Sequence, residues 1–188
     1  AKSNQTRWPW AQTIVTVGLL RPIHGRWCCL PLAFDFYLRR QTLRAGCIRL
    51  AGKALVFNDK YAQSVALITR LAAFFTPAAM LVVTDSWFGN NGLFKPLRAQ
   101  LGRRVHLLSR LRVNAALFAL PDLVPGKVGR PRKYGARLGN ATDLAAAMRE
   151  TAHTYTLHVY GAQREVVAAH RVVMLKTLRC PVRVVWVY

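Results

Sequence analysis

The first part of the chain alternates between apolar and polar residues as β-strands do. Residues 12–20 read QTIVTVGLL and residues 26–37 read RWCCLPLAFDFY, and both runs are rich in β-branched or aromatic residues. The segment between them, RPIHG at residues 21–25, contains turn-forming residues. This pattern predicts an antiparallel hairpin, with a bulge or an edge position at Pro31, which lacks a backbone N–H.

Helical spacing begins after residue 58. Asn58 and Asp59 can cap a helix, and apolar residues then recur at helical spacing as far as Ala73. We therefore predict a helix of about fifteen residues that closes before Pro77. A second helix is predicted over residues 93–101, where apolar side chains line one face.

Each predicted helix is followed by a short apolar run. AMLVV at residues 79–83 predicts a strand buried on both faces, and VHLLS at residues 105–109 predicts a further strand. A helix between such strands is typical of a mixed α/β sheet. We expect residues 79–83 to form a central strand that pairs with residues 12–20 and with residues 105–109.

The character of the chain changes after residue 112. Apolar and β-branched residues alternate in short runs, and the one helical segment is brief. The predicted elements are a strand at 115–120, a Gly/Pro/Arg loop at 121–140, a helix at 143–149, a hairpin formed by 155–160 and 165–178, and a strand at 182–188. We accordingly divide the chain into residues 1–112 and a β-rich part, residues 113–188.

Positive charge dominates the composition. The chain has 28 Lys and Arg against 7 Asp and Glu, for a formal net charge of +21. Such a surface favours a polyanion, and nucleic acid binds it through phosphate neutralisation; the alternative is a solvated basic surface. No membrane partner is expected, because the most apolar region, residues 65–83, is interrupted by Arg70, Thr76 and Pro77, whereas a spanning helix needs about 20 predominantly apolar residues.

Asp85 is the leading candidate for a catalytic or metal-binding residue. It lies just past the carboxyl end of the predicted strand and before the loop GNNG at residues 89–92. Ligands and catalytic groups gather at that edge of an α/β sheet, and a carboxylate there can hold Mg²⁺. The alternative is that Asp85 caps the turn or the helix that follows.

Three segments resemble those of the DDE transposases of bacterial insertion sequences. Residues 81–88 read LVVTDSWF, residues 105–112 read VHLLSRLR and residues 129–135 read GRPRKYG. In that family a strand ends in an Asp followed by Ser and an aromatic pair, and a later strand reads close to VSRLR. The resemblance is strongest over residues 79–138.

This resemblance implies an RNase H-like mixed sheet flanked by helices, with residues 1–112 as a partial catalytic core and residues 113–188 as a β-rich insertion. The family uses an acidic triad that binds two Mg²⁺ ions and cleaves and joins DNA by in-line displacement. Asp85 matches the second carboxylate of the triad, as catalytic residue and metal ligand. The first Asp would precede Ala1 and the Glu would follow Tyr188. We therefore expect Mg²⁺ binding only with the complete triad, and no metal-dependent nicking by this chain alone.

Five cations are candidate DNA contacts. Arg130, Arg132 and Lys133 surround a Gly-Arg-Pro core that stays extended and can enter a minor groove; the alternative is a solvated loop. Arg110 and Arg112 lie two apart at the end of a strand, so they would share one face near the carboxylate and could hold phosphates. The alternative is that Arg110 and Arg112 only occupy an exposed strand end and contact no phosphate.

Three functions are compatible with these features. The leading hypothesis is a transposase segment that binds DNA at transposon ends and supplies the central carboxylate for cleavage and strand transfer in the full-length protein. A non-catalytic nucleic-acid-binding module, from a decayed or recruited transposase, is the alternative. A cationic scaffold or ribosome-associated protein would explain the charge but not the Asp85 segment. The resemblance implies the bacterial cytoplasm near the nucleoid, which fits four cysteines without CxxC spacing, and it allows a homodimer in a transposition complex.

Overall fold

The structure is a computed structural model that describes residues 12–44, 48–121, 129–130, 132–159 and 161–188. The chain divides into two units. The first comprises Ala1–Ile23 and Trp27–Ala78, and the second comprises His24–Arg26 and Ala79–Tyr188. No helix in the described ranges is long and apolar enough to cross a membrane.

The first unit opens with the predicted hairpin. Strand β1 (Thr13–Ile23) and strand β2 (Arg26–Tyr37) form a two-stranded sheet. The turn places His24 and Gly25 at positive φ, 47° and 74°, as the hairpin turn whose twist matches the strands requires at both central positions. Both strands of a two-stranded sheet are edge strands, so Pro31 is tolerated within β2.

The rest of this unit carries the predicted long helix. A short helix α1 (Arg40–Arg44) and the small strands β3 (Arg49–Leu50) and β4 (Lys53–Ala54) precede helix α2 (Lys60–Ala72). Asp59 caps α2 by accepting a hydrogen bond from Ala62 N at 2.8 Å. The buried side of α2, which packs against β1, includes Val65, Leu67 and Ile68. The predicted helix and its cap are confirmed.

In the second unit a helix connects two parallel strands. Strand β5 (Met80–Thr84), helix α3 (Asn91–Leu101), a 3₁₀ turn (Gly102–Arg104) and strand β6 (Val105–Ser109) follow in order. The strands pair in parallel from Met80↔Val105 to Thr84↔Ser109. Helix α3 buries Leu93 and Leu97. The predicted strand–helix–strand order and the pairing of the two strands are confirmed.

Two expectations about β5 are wrong in the described part of the chain. β5 pairs only with β6, and β1 pairs only with β2, so the predicted pairing of residues 79–83 with residues 12–20 is absent. The run is also not buried on both faces, since Leu81 is 61 % and Val83 48 % exposed. An all-apolar run does not specify how many layers cover it. The mixed α/β class is confirmed, and the RNase H-like arrangement remains a prediction.

The rest of the second unit is a five-stranded antiparallel sheet. It comprises β7 (Ala116–Phe118), β8 (Arg137–Asn140), β9 (His153–Val159), β10 (Ala162–Leu175) and β11 (Cys180–Val187). Its order is β11-β10-β7-β8, with β9 also paired to β10. Helix α4 (Ala141–Arg149) lies between β8 and β9 in sequence. The predicted short helix, second hairpin and last strand are confirmed, and the division of the chain at residue 112 stays a prediction.

Helix α4 covers one face of this sheet. Asn140 and Asp143 form a capping box at its start. The Asn140 side chain accepts from the Asp143 backbone N–H, and the Asp143 side chain accepts from the Asn140 backbone N–H. Trp186 Nε1 donates to Ala141 O at 2.8 Å, so the largest aromatic side chain in this core keeps a polar partner. The buried cluster consists of Leu117, Leu144, Met148, Ala169, Val173, Leu175, Val184 and Trp186.

Candidate active site

The carboxyl ends of β5 and β6 meet at one edge of the parallel pair. Thr84 lies opposite Ser109, so Asp85 and Arg110, the next residues, leave the sheet side by side. We call this edge, residues 84–91 with residues 109–112, the carboxyl edge. Asp85 is exposed there and directly follows the strand, as predicted from the sequence.

Asp85 holds the loop that follows it. Its Oδ1 accepts hydrogen bonds from Trp87 N at 3.0 Å and Phe88 N at 3.1 Å. The capping role that was the alternative to a catalytic one is therefore present. Both bonds use Oδ1 and the side chain is exposed, so Oδ2 remains accessible to a ligand. A capping role and a ligand-binding role for Asp85 are therefore compatible, because Oδ1 makes the capping hydrogen bonds and Oδ2 is left for a ligand.

Ser109 and Gly89 position the backbone of Asp85. The Asp85 carbonyl accepts from Ser109 Oγ at 2.7 Å and from Gly89 N at 3.2 Å. A Cβ added at Gly89 would lie 2.7 Å from Ser109 Cβ and closer still to its Oγ. Only glycine fits so close to β6. Ser109 was not among the predicted site residues, because its role depends on the strand register that sets it opposite Thr84.

The start of helix α3 links the carboxyl edge to the five-stranded sheet. Asn90 caps α3 by accepting from Gly92 N at 2.7 Å, and its Nδ2 donates to Trp87 O at 2.7 Å. Asn91 N donates to Thr177 O at 3.2 Å, in the turn between β10 and β11. This turn, Lys176 to Arg179, therefore lies against the end of the Asp85 loop. This contact could not be predicted from the sequence, because it joins residues far apart along the chain.

Arg110 and Arg112 lie beyond the end of β6, which stops at Ser109. Both side chains are exposed. Ser109 Oγ also approaches Arg110 O at 3.2 Å. The Ser109 hydroxyl therefore contacts the backbone carbonyls of both Asp85 and Arg110. Their positions are compatible with phosphate contacts beside the carboxylate, and that role stays a prediction.

The segment at residues 129–135, which we call the basic loop, is anchored at its C-terminal end. Arg130, Arg132 and Lys133 are exposed, whereas Pro131 and residues 122–128 of the predicted loop lie outside the described residues. The Tyr134 ring lies 5.3 Å from the Phe118 ring. Ala119 N donates to Ala136 O at 2.8 Å, and Gly135 N donates to Ala119 O at 3.0 Å. The three cations are therefore presented next to a fixed segment, and their contact with DNA stays a prediction.

Three other carboxylates in the described ranges have hydrogen-bond partners of their own. Asp59 caps α2, Asp143 belongs to the α4 capping box, and Asp35 Oδ2 accepts from Gln63 Nε2 at 3.3 Å. Among the described residues, no three His, Cys, Asp or Glu side chains form a group that could hold a metal ion. Asp85 fits a Mg²⁺ site as one oxygen ligand, since Mg²⁺ takes carboxylate oxygens and keeps several waters.

One of three comparisons with known proteins found a match. A family model described as "DDE superfamily endonuclease" matches residues 11–166, which include both strands of the parallel pair, the carboxyl edge and most of the β-rich part. Searches of curated proteins and of solved structures found no match to the chain.

Proposed function

The chain belongs to the DDE superfamily endonucleases, and from this premise we propose that it is a segment of a transposase-type nuclease that binds DNA and supplies the central carboxylate of the active site. In the full-length protein that site would cleave phosphodiesters and transfer strands at transposon ends. The substrate follows from the family and from the net charge of +21. A homodimer within a transposition complex is part of the same proposal.

One observation carries the proposal. Asp85 follows a parallel strand at its carboxyl end, where its backbone is fixed by Ser109 and its Oδ1 by two backbone donors. A metal-binding carboxylate must be held in place in this way, because the productive geometry tolerates little movement. The remaining oxygen, Oδ2, would be the metal ligand. When bound, Mg²⁺ stabilises charge on the attacking and leaving oxygens of an in-line displacement.

The residues around Asp85 would orient the substrate. Arg110 and Arg112 leave the sheet at the same edge and would hold phosphates close to the carboxylate, where guanidinium groups form strong charge-assisted hydrogen bonds. Arg130, Arg132 and Lys133 would bind the DNA backbone or a narrow minor groove at a distance from the chemistry. None of these contacts carries out a bond-making step; each fixes the position of the DNA.

Metal binding at Asp85 is testable in this chain by NMR with Mn²⁺, whose unpaired electrons broaden nearby amide signals. A single carboxylate does not hold a divalent cation stably, but paramagnetic broadening also detects transient contact. At high Mn²⁺ concentration we therefore expect the amides of Ser86 and Trp87 to broaden, and to recover in Asp85→Asn, which keeps the capping acceptor but removes the charge. Glu165→Gln, which removes an exposed carboxylate on β10, is the matched control. Equal broadening in wild type and Asp85→Asn would contradict the assignment of Asp85 as a ligand.

A nicking assay separates the segment from a complete enzyme. Supercoiled plasmid incubated with this chain and Mg²⁺ or Mn²⁺ should stay intact, because Asp85 has no further carboxylate, His or Cys beside it with which to form a metal-holding group among the described residues. Nicking that vanishes in Asp85→Ala would show that prediction to be wrong while supporting Asp85 as catalytic.

A non-catalytic nucleic-acid-binding module is the second candidate. It is favoured by the capping role of Asp85, since a loop held through Oδ1 needs the carboxylate whether or not a metal binds. Under this candidate, Mn²⁺ would leave Ser86 and Trp87 unaffected, while DNA binding would persist.

A further inference from the structure

The five-stranded sheet has one face that helix α4 does not cover. Side chains alternate along β10 and β11, and Ala169, Val173, Val184 and Trp186 point into the core under α4. The residues between them therefore point to the opposite side. We call this the open face, and its principal side chains are Tyr155, Arg164, His170, Arg183, Val185 and Val187.

The strand registers place these side chains in rows. Tyr155 lies opposite Val166, and Ala168 lies between His153 on β9 and Val187 on β11. His170 faces Val185 in the next row. The centre of the open face therefore combines small and apolar side chains with the Tyr155 ring and the imidazoles of His153 and His170.

Cations mark the two ends of the open face. Arg164 faces Leu157 at one end, and Arg183 faces Val172 at the other. Val172 lies eight residues after Arg164 along β10, which at about 3.4 Å per residue is roughly 27 Å. Both arginines are exposed.

No carboxylate lies on the described part of this face. Glu165 lies on the other side of β10, between Arg164 and Val166, which belong to the open face. The centre is accessible, since Tyr155 is 43 %, Val185 56 % and Val187 66 % exposed. A cluster of exposed apolar side chains of this kind marks an interaction surface.

We propose that the open face binds single-stranded DNA. Unpaired bases would stack on Tyr155 and lie over the valines, and Arg164 and Arg183 would hold phosphates at either end. Aromatic rings with flanking cations are what binds single strands without sequence preference. The inference rests on the proposed function, whose substrate is DNA. It adds that the bound DNA is single-stranded and that the open face binds it.

Two other occupants fit the face less well. Duplex DNA turns its phosphates outward, so the apolar centre would meet charge rather than bases. A second copy of the chain would bring Arg164 and Arg183 against a face that carries cations and no carboxylate, and like charges at an interface oppose association. Unpaired bases with phosphates at both ends match the apolar centre and the cationic ends together.

Fluorescence anisotropy with a labelled oligothymidylate of about 12 nucleotides tests the proposal. Tyr155→Ala should weaken binding about tenfold, which corresponds to about 1.4 kcal/mol, and Tyr155→Phe should retain it. Thr156→Ala, on the other face of the same strand, is the matched control and should have no effect. Val185→Glu should abolish binding by placing a carboxylate at the centre.

A second pair of variants isolates the cations. Arg164→Gln with Arg183→Gln should weaken oligothymidylate binding more than Arg171→Gln with Lys176→Gln. The second pair removes the same charge from the other side of β10 and from the turn that follows it. Thermal unfolding of each variant establishes that it is folded. Because all of these side chains are exposed, we expect little change in Tm.

The outcomes distinguish this inference from the proposed function. If Tyr155→Ala and Val185→Glu bind oligothymidylate as the wild type does, the open face is not the site. If duplex DNA binds through the basic loop and oligothymidylate does not bind, the inference is wrong while the proposed function stands. Dependence of duplex binding on Tyr155, or a dimer that Val185→Glu dissociates, would also overturn the single-strand assignment. Failure to bind any DNA would overturn both.

Discussion

The parallel pair and the five-stranded sheet lie in one unit but are built differently. The parallel pair is short, has α3 packed along it, and leaves Leu81, Val83 and Leu108 exposed. Its order near Asp85 comes from hydrogen bonds to fixed backbone atoms. The five-stranded sheet instead encloses a core of eight buried residues with α4. The larger buried cluster lies in one region, and the candidate chemistry lies in the other.

This difference separates what holds the fold from what positions a carboxylate. A buried cluster stabilises by removing apolar surface from water, which is insensitive to small shifts of any one atom. The Asp85 loop depends on a few bonds of 2.7–3.2 Å, which are lost on displacement of about 1 Å. Substitutions should therefore affect the two regions in different ways.

The largest expected effect is on stability. Leu117→Ala removes a side chain that is fully buried in the five-stranded sheet and should reduce the free energy of unfolding by about 2–5 kcal/mol. Leu81→Ala, on the exposed side of β5, should change it by no more than about 0.5 kcal/mol. Urea denaturation of both variants makes the comparison. Equal losses would mean that the exposed side of β5 is covered in solution.

DNA affinity should depend on the cations of the basic loop and not on the carboxylate of Asp85. Replacing Arg130, Arg132 and Lys133 by Ala should flatten the slope of log affinity against log salt by about 2–3 units, since each phosphate contact contributes roughly 0.9. Asp85→Ala should leave affinity unchanged or raise it slightly, because it removes a negative charge. Titrations of duplex DNA at several salt concentrations provide the slopes.

A matched control tests whether location matters as well as charge. Replacing Arg44, Arg49 and Lys53, three exposed cations of the first unit, removes the same charge. It should flatten the slope less than the loop variant does. Equal slopes in the two triple variants would mean that the basic loop is a solvated segment that makes no specific contact with DNA.

Local signals predicted most of the elements. Asp59 as a cap, the apolar spacing of α2 and α3, and the alternation in β9 to β11 depend on residues close in sequence. For the same reason Asp85 could be placed at a strand end. Caps, helical periodicity and strand alternation are properties of a few neighbouring residues, so they are readable without the fold.

Pairing and layering could not be predicted in the same way. Nothing in the run AMLVV specifies that β5 pairs, among the described strands, with β6 alone or that Leu81 is exposed. Both features depend on which distant segments lie beside the run. The bond from Ser109 to the Asp85 carbonyl requires the register Thr84↔Ser109. Contacts made across more than twenty residues therefore had to come from the structure.

The contact between Gly89 and Ser109 should produce a smaller but specific effect. Gly89→Ala should destabilise by about 1–3 kcal/mol, because the added Cβ meets Ser109. Ser109→Gly should cost about 1 kcal/mol through the lost hydrogen bond. In the double variant the clash is relieved, so Gly89→Ala should be less destabilising there. Free energies that add within about 0.5 kcal/mol would contradict this contact.

The smallest expected effect concerns Cys180, where the two regions meet. Burial raises the pKa of the Cys180 thiol above its ordinary value of 9.0, and the Arg98 guanidinium of α3 partly opposes this. The unfolded thiol therefore loses its proton at lower pH than the folded one. Its contribution to stability is complete below the unfolded pKa and is lost as pH rises towards the folded pKa.

Urea denaturation between about pH 7 and about pH 10 should accordingly show a decline in stability that is shallower in Cys180→Ala. Arg98→Gln should deepen the decline at low salt, because it removes the charge that favours the thiolate. Arg98 also donates to Val105 O at 3.2 Å, so that variant should be less stable at every pH, and only the change with pH is diagnostic. Parallel curves for wild type and Cys180→Ala would mean that Cys180 is solvated, and that the β11 end of the five-stranded sheet is not closed against α3.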